Sequence, residues 1–406
     1  MVSLMDFGNA LTPIPTSYLM DWIGRKPTLF SSAVMLALAS ALSLAANNIW
    51  YLYFARIFAG MAKGVAFAVV PIYLAEVANI QIRGALSTMF IGFLNIGMFY
   101  AYFFGWMTTY LGLNISIAII PVVFSILFLF VPESPYYLAR RHKPQKATAV
   151  LAKYRQVDRT EEALIAEYQL IEKTVLKDLQ NKGRFWDVVG TRGNRRAVLI
   201  IALLAIFQRA SGISPSLAFM TVTLPETGGG QSREVYLVIF SAILVIANYV
   251  ATPLIDNLGR KKLLIYSAIS SAVIQFVTGI FYLFQNTGYN TEPWNWIPYA
   301  SLIIFGITYS LGIGFIPSTL VGELFPTNVK CYASSISAIL LAVVSFGVNR
   351  VFREFETQYM YFFFSFACVV CTIFCVFFVF ETRGKTFLEI QEKLNEVSKK
   401  KINGTV

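Results

Sequence analysis

The sequence predicts an all-α membrane protein with about eleven transmembrane helices. Three observations support this fold class: the composition, the spacing of long apolar runs, and an internal repeat. Of 406 residues, 56% are hydrophobic and only 14% are charged, whereas a soluble domain carries about 25% charged residues. The charged side chains are too few to keep 35 Phe and 21 Tyr in solution. The composition therefore argues against a soluble enzyme, a disordered chain and a disulfide scaffold, and favours a chain that lies in lipid.

Eleven runs of mostly apolar residues have about the length of a membrane-spanning helix. The runs cover residues 4–20, 29–46, 51–73, 86–108, 113–131, 197–222, 235–255, 263–284, 296–321, 333–351 and 359–380. The first run is the weakest because it contains Asp6, Pro13 and Pro15. It is not a convincing signal peptide, since it has no basic segment before it.

The basic residues lie mainly on one side of the predicted membrane. If the turn at 22–27 faces the cytoplasm, 27 of the 33 Lys and Arg residues lie on its side and three lie on the other. The positive-inside rule then predicts that the central loop and the C-terminal tail are cytoplasmic. Membrane insertion therefore explains the net charge of +11. The expected partner is the lipid bilayer, and nucleic acid is not an expected partner.

Three motifs occur twice in the chain, in the same order. The pairs are Asp21-Trp-Ile-Gly-Arg-Lys26 with Asp256-Asn-Leu-Gly-Arg-Lys261, Glu76 and Arg83-Gly-Ala85 with Glu323 and Lys330-Cys-Tyr332, and Val131-Pro-Glu-Ser134 with Val379-Phe-Glu-Thr382. The repeat predicts two similar membrane bundles at 1–131 and 197–381. A cytoplasmic linker at 132–196, with short helices, is expected between them, and a cytoplasmic tail at 382–406 after them.

Further motifs complete the set. They are Arg56-Ile-Phe-Ala-Gly60, Pro71-Ile-Tyr-Leu-Ala-Glu76, Pro132-Glu-Ser-Pro135, Gln208 with Ser211-Gly212, Gly322-Glu-Leu-Phe-Pro326 and Glu381-Thr-Arg-Gly-Lys-Thr386. The whole set, over residues 4–390, resembles the sugar porter family of the major facilitator superfamily. Within that family it is most similar to the insect facilitated trehalose transporters.

The resemblance implies the major facilitator fold, with two pseudo-repeated helical bundles. It also implies facilitative transport of a sugar (trehalose or a hexose) or a similar polar solute by alternating access, in a plasma-membrane monomer without cofactor or metal. In that family the Asp21 motif follows the second of twelve helices. The chain is therefore expected to begin near the second helix and to lack the first. The alternative function is that of a non-transporting sensor, or an inactive paralogue that kept the fold.

Charged residues at the cytoplasmic helix ends are expected to form an ion-pair network. By the resemblance, this network holds the two halves together in one state and breaks in the other. A simpler alternative is that the charges only anchor helix ends at the lipid headgroups. The candidate residues are Asp21, Arg25, Lys26, Glu76, Arg83, Glu133, Asp256, Arg260, Lys261, Glu323 and Glu381.

A sugar site needs amide and hydroxyl groups in an apolar cleft. The candidate substrate-binding residues are Asn95, Gln208, Arg209, Ser211, Ser214, Asn248 and Ser318. The family pattern Gln-Gln-x-Ser-Gly-Ile-Asn reads Gln208 to Ser214 here, with Arg209 in place of the second Gln and Ser214 in place of Asn. Loss of such amides predicts weaker hexose or disaccharide binding. The residues Gly212, Pro215, Gly314 and Pro317 are expected to break helices and let a gate bend.

Two basic residues, Lys63 and Arg209, lie inside predicted spans, where an ionisable group is costly. Each could pair with a carboxylate or carbonyl group or extend to the headgroups. Alternatively, one lines the cavity and favours a substrate that bears negative charge. Three cysteines, Cys368, Cys371 and Cys375, share a face of an apolar run and indicate packing rather than a zinc site. Since the sequence shows no constellation of catalytic residues, an enzyme is not expected.

Overall fold

The computed structural model describes residues 2–78, 83–158, 161–180, 185–225, 232–325, 327–383, 389–390 and 392–394. The described chain is almost entirely helical and contains no strand. Its α-helices are α1 (Val2–Leu11), α2 (Pro13–Ile23), α3 (Arg25–Leu44), α4 (Ile49–Val77), α5 (Arg83–Met107), α6 (Tyr110–Leu129), α7 (Pro135–Arg140), α8 (Pro144–Arg155), α9 (Glu162–Gln180), α10 (Arg192–Ala210), α11 (Ile213–Thr223), α12 (Arg233–Leu258), α13 (Arg260–Asn286), α14 (Trp296–Leu311), α15 (Ile316–Leu324), α16 (Thr327–Val351) and α17 (Thr357–Phe378). Two short 3₁₀ helices lie at Phe185–Val189 and Glu292–Trp294.

The helices form two bundles with the same internal arrangement. In the first half (α1 to α6), α3 packs against α4 and α6. In the second half (α10 to α17), α13 packs against α14 and α17. The sequence repeat is therefore matched by a repeat of helix packing, as a major facilitator fold requires. The limits at 131, 196 and 381 stay predictions.

The two halves meet at two main contact regions. On one side of the interface α1 and α2 pack against α16, and on the other side α5 packs against α12. Hydroxyl groups line part of the first contact, where Ser17 Oγ lies 3.1 Å from Ser335 Oγ. On the other side, Tyr102 Oη donates to the Leu217 carbonyl over 3.1 Å. Polar hydrogen bonds therefore occur among the helix contacts that join the two halves.

Ten segments among the described residues are long and apolar enough to cross a membrane. They match the predicted runs after the first one. The first run, 4–20, forms two shorter helices, α1 and α2, which are separated at Thr12. Proline at positions 13 and 15 explains the break, because proline lacks a backbone N–H and clashes with the preceding turn. The prediction of an all-α membrane protein is confirmed.

Helix α1 lies unusually close to α4 because glycines line the contact. A Cβ atom placed on Gly60 would lie 2.0 Å from the Met5 carbonyl oxygen. One turn later, a Cβ on Gly64 would lie 1.9 Å from Thr12 Oγ1. Small residues at a spacing of four are typical of closely packed membrane helices. The contact fixes α1, and therefore Asp6, against the face of α4 that carries Lys63.

The linker folds into its own small cluster. Helices α7, α8 and α9 pack on one another around buried residues that include Ala147, Leu151 and Leu164. Helix α8 is capped at its C-terminus by Gln156, whose φ is 55°. The limits of the linker and its cytoplasmic location stay predictions. Beyond Phe378 most of the tail lies outside the described residues, although Ile390 and Leu394 are buried in the core of the second half.

Candidate functional site

A set of charged residues joins three helix ends of the first half. Arg25 forms a bidentate salt bridge with Glu76: Nη2 donates to Oε1 over 2.7 Å, and Nε donates to Oε2 over 2.9 Å. Ser134 Oγ also donates to the Glu76 carboxylate. The side chains of Arg25 and Glu76 are only 9% and 14% exposed. A bidentate salt bridge between arginine and a carboxylate that is shielded from solvent is among the stronger polar contacts in proteins.

Glu133 completes this set because its carboxylate caps the beginning of α3. The backbone N–H groups of Arg25 and Lys26 donate to it over 3.0 and 3.1 Å. The first N–H groups of a helix have no partner inside the helix and attract negative charge. Gly24 permits the approach, since it has a φ of 107° and a Cβ at this position would lie 2.3 Å from Glu133 Oε2. We call Arg25, Glu76, Glu133 and Ser134 the first carboxylate network.

The second half repeats this arrangement. Arg260 Nε and Nη2 both lie 3.3 Å from Glu323 Oε1, and Thr382 Oγ1 donates to Glu323 Oε2 over 2.5 Å. Glu381 caps α13 by accepting from the backbone N–H groups of Arg260 (2.9 Å) and Lys261 (3.1 Å). We call Arg260, Glu323, Glu381 and Thr382 the second carboxylate network.

The environment of Glu381 affects its ionisation. Partial burial by itself raises the pKa of the Glu381 carboxyl. Backbone N–H groups of Arg383, Arg260, Lys261 and Thr382 donate to the carboxylate, and together they outweigh burial and lower its pKa. Hydrogen bonds to the charged form favour ionisation. Glu381 therefore stays ionised as a cap at neutral pH.

Each network connects helices of its own half. The lysine beside each arginine also contacts a helix of its own half. Lys26 Nζ donates to the Leu129 carbonyl, and Lys261 Nζ donates to the Val376 carbonyl, both over 2.8 Å. Asp21 pairs with Arg140 of the linker at 2.5 Å. The side chains of Arg83 and Asp256, two further predicted members, lie outside the described residues. That the networks also join the two halves stays a prediction.

The second half contains a break between α10 and α11 where several predicted residues meet. Ser211 Oγ donates to the Gln208 carbonyl over 2.8 Å, and Gln275 Nε2 of α13 donates to the Ser211 carbonyl over 2.7 Å. Gly212 has a φ of 95°, and a Cβ there would lie 2.5 Å from the Phe364 ring. Pro215 follows in the first turn of α11. Glycine is therefore needed here for both backbone conformation and space.

A second break separates α14 from α15, at residues 312–315. Gln208 Nε2 donates to the Gly314 carbonyl over 2.8 Å, and Pro317 lies at the beginning of α15. The Gln208 side chain therefore connects the two breaks. Carbonyl groups released at a helix break need such partners in a membrane. The four residues predicted to break helices, Gly212, Pro215, Gly314 and Pro317, all lie at these breaks.

A polar network crosses the interface between the halves. Asp6 of α1 is 7% exposed, and its carboxylate accepts from Ser345 Oγ (2.9 Å) and Asn349 Nδ2 (3.2 Å) of α16. Ser345 Oγ lies 3.0 Å from Ser214 Oγ, and Arg209 Nη1 donates to Ser214 Oγ over 3.4 Å. We call Asp6, Arg209, Ser214, Ser345 and Asn349 the interface network. It lies toward the opposite end of the helices from the carboxylate networks.

The other predicted substrate residues are not all together. Asn95 of α5 donates to the Leu244 carbonyl of α12 over 3.4 Å, and Asn248 is buried one turn further along α12. Ser318 is exposed at the start of α15, where its hydroxyl donates to the Phe315 carbonyl over 2.6 Å. The structure therefore brings Gln208, Arg209, Ser211 and Ser214 together, and places Asn95 and Asn248 at the α5–α12 contact.

Three members of this region were not predicted from the sequence: Asp6, Ser345 and Asn349. The signal for Asp6 was available, because an ionisable residue in an apolar run is a candidate functional residue. The serine and asparagine carry no such signal, since their place depends on the rotation of α16. Among the described residues, no group of three or more His, Cys, Asp or Glu side chains could hold a metal ion.

Comparison with known proteins agrees with this architecture. The family model described as "Sugar (and other) transporter" matches residues 1–394. This chain belongs to the sugar transporter family. It is a multi-pass membrane protein, and its family is one of transporters rather than enzymes.

Two relatives and two solved structures are similar to this chain. It is 28% identical to the facilitated trehalose transporter Tret1 of Polypedilum vanderplanki, over 92% of this chain and 75% of that protein. It is 27% identical to Tret1 of Aedes aegypti, over 93% of this chain, and it spans about half of that protein's length (47%). The proton:xylose symporter XylE bound to 6-bromo-6-deoxy-D-glucose has a TM-score of 0.76 and 22% identity, over 97% of this chain and 88% of that one. The inward-open conformation of XylE from E. coli has a TM-score of 0.78 and 21% identity, over 96% and 87% of the two chains. These structures show the major facilitator fold.

Proposed function

We propose that this chain is a facilitative transporter that moves a sugar or a similar polar solute across the membrane by alternating access. Trehalose and hexoses are the first candidates, because the curated relatives are facilitated trehalose transporters. In this mechanism the two halves rock about a site between them, which is open to one side at a time.

The observation that supports this mechanism is the duplicated carboxylate network. In each half, an arginine, two glutamates and a hydroxyl join the ends of several helices. Such a network makes the helices of one half move together. The contacts between the halves include hydroxyl and amide hydrogen bonds, which can be exchanged for others at a small net free-energy difference. Two stiff halves with an exchangeable interface are what rocking requires.

The site for the solute lies, in this proposal, at the helix breaks of the second half and the facing helices of the first. Gln208, Ser211 and Ser214 would supply amide and hydroxyl groups, and Asn95 and Asn248 would face them from the α5–α12 contact. Sugar hydroxyls both donate and accept, so amides and hydroxyls are suitable partners. The breaks themselves let α10 and α14 bend as the site opens and closes.

The proposed orientation places the linker at 132–196 and the tail at 382–406 in the cytoplasm. It rests on the excess of basic residues on that face. We further propose that the chain acts as a monomer in the plasma membrane. An epitope tag after Val406 tests the orientation: antibody should label it only in permeabilised cells, and labelling of intact cells would contradict the proposal.

Uptake of radiolabelled trehalose and glucose by purified protein in liposomes tests the transport function. We expect uptake that saturates with concentration and that stops when inside and outside concentrations are equal. Gly212→Ala provides a related control, because a Cβ there contacts Phe364 and should restrict movement at the break. No uptake above that of empty liposomes by folded wild-type protein would contradict the proposal.

A further inference from the structure

Two ionisable side chains from opposite halves, Asp6 and Arg209, belong to the interface network, and a third, Lys63, lies near enough to be affected by both charges. Lys63 of α4 and Asp6 of α1 belong to the first half, and Arg209 of α10 belongs to the second. The charge of Lys63 interacts with the charges of both Arg209 and Asp6. Lys63 follows Gly60 and precedes Gly64, the two glycines at which α4 contacts α1. Lys63 lies in the middle of α4, and Arg209 lies beside the break between α10 and α11, within the membrane span 192–223. Neither residue is at the end of its span, where charges usually reach the headgroups.

The hydrogen-bond partners in this cluster are distributed unevenly. The Asp6 carboxylate accepts two hydrogen bonds from α16. Arg209 has five N–H donors, yet its contact to Ser214 is long at 3.4 Å, and its buried Nε has no hydrogen-bond partner. Lys63 has no hydrogen bond and no ion pair with any described residue. The carboxylate is therefore satisfied, and the two cations are not.

The charges are also unbalanced. Two cations and one carboxylate leave a net charge of +1 between the halves, where Asp6 is buried and Lys63 and Arg209 are half-buried. A buried charge is costly unless a counter-charge and hydrogen bonds accompany it. One additional anion would balance the cluster. Inside the same cluster, the buried Asn349 Oδ1 has no donor, so it is available to accept from a hydroxyl group of the same ligand.

We propose that Lys63 and Arg209 bind the carboxylate of an acidic sugar, such as a hexuronate, as it passes between the two halves. A monoanion neutralises the net charge of +1, whereas a phosphate with a charge of about −1.5 to −2 would overcompensate it. The planar fork of an arginine matches the two oxygens of a carboxylate. The inference rests on the proposed transport function and narrows its substrate class.

Binding of D-glucuronate and of its neutral analogue D-glucuronamide to the purified protein tests this inference. The two ligands differ only at the carboxylate, and their dissociation constants can be measured from ligand-dependent shifts in thermal unfolding. We expect glucuronate to bind wild-type protein at least about tenfold more tightly, since one charge-assisted contact contributes this much. Arg209→Gln and Lys63→Gln should each bring the ratio close to one.

Arg350→Gln is the matched control, because Arg350 is 61% exposed and pairs with Glu354 on the surface. The control should keep the wild-type ratio. An equal affinity for both ligands in wild-type protein would overturn the inference. So would a ratio that survives both Arg209→Gln and Lys63→Gln, or tighter binding of inorganic phosphate than of glucuronate. Two separate substitutions are used so that poor folding of one leaves the other informative.

Uptake separates this inference from the transport proposal. Uptake of neutral glucose or trehalose without preferred binding of glucuronate would overturn the charge recognition and leave the transport function intact. Preferred binding of glucuronate, lost in Arg209→Gln, without uptake of any sugar would support the charge recognition and contradict transport.

Discussion

Replacing Glu76 by Gln should destabilise the protein more than replacing its counterpart Glu323 by Gln. Both carboxylates accept from an arginine and from one hydroxyl group, but the contacts of Glu76 are shorter. Arg25 Nη2 lies 2.7 Å from Glu76, whereas Arg260 Nη2 lies 3.3 Å from Glu323. The first pair is also better shielded, with exposures of 9% and 14% against 16% and 25%.

The magnitudes follow from the cost of an arginine left without its counter-charge. Removing one partner of a buried pair costs 3–5 kcal/mol, so we expect about 3 kcal/mol for Glu76→Gln, in which the amide oxygen keeps one contact. For Glu323→Gln we expect about 1–2 kcal/mol, because the pair is longer and closer to solvent. Asp21→Asn is the matched surface control: Asp21 is 47% exposed, and its loss should cost below about 1 kcal/mol.

The assay is the fraction of each variant that remains a single peak in size-exclusion chromatography after heating in detergent. The expected order of thermal midpoints is Asp21→Asn near wild type, then Glu323→Gln, then Glu76→Gln lowest. A Glu323→Gln midpoint at or below that of Glu76→Gln would show that neither the shorter distance nor the better shielding of the first pair determines its contribution. An equal loss for Asp21→Asn would show that burial does not determine the cost.

Three further substitutions test other parts of the structure. Gly60→Val should prevent α1 from packing on α4, because a Cβ there meets the Met5 carbonyl oxygen. We expect less folded protein in size-exclusion chromatography, and a wild-type yield of folded protein would contradict this. Gly212→Ala should lower the transport rate per folded molecule at least about tenfold, since the residue has a φ of 95° and a Cβ there would meet the Phe364 ring. An unchanged rate would argue against bending at this break. Glu381→Gln should make the thermal midpoint less sensitive to acid. The pKa of the Glu381 carboxyl is lowered in the folded protein. The ionised carboxylate therefore stabilises the folded state above the usual pKa of a glutamate, and this stabilisation is lost as the pH falls through the lowered pKa. An identical pH profile would contradict the cap.

The helices were predictable because each membrane span must provide about 20 apolar residues by itself. That requirement is local, so runs such as 263–284 correspond closely to helix α13 (Arg260–Asn286). The break in the first run was not predicted, although Pro13 and Pro15 were noted. Two short helices within one run differ from a single span only in backbone hydrogen bonds, which the apolar pattern does not report.

The charged residues at the helix ends were predictable as a set because their motifs occur twice. Their partners were not, since sequence spacing does not show that Glu76 pairs with Arg25 or that Glu133 caps α3. The residue pairs of the interface network were still harder to predict from the sequence. Asp6 and Asn349 are more than 340 residues apart in sequence, and which face of α16 meets α1 depends on helix rotation.

Uptake and exchange in liposomes that contain the purified protein test whether it carries a sugar by alternating access. Liposomes preloaded with unlabelled trehalose or glucose should take up the labelled sugar faster than empty ones, because a carrier that alternates between sides exchanges solute as it returns. We expect this acceleration, together with saturation at high external concentration. Binding of the sugar by folded protein without any uptake would contradict it, and would identify the chain as a non-transporting sensor or inactive paralogue.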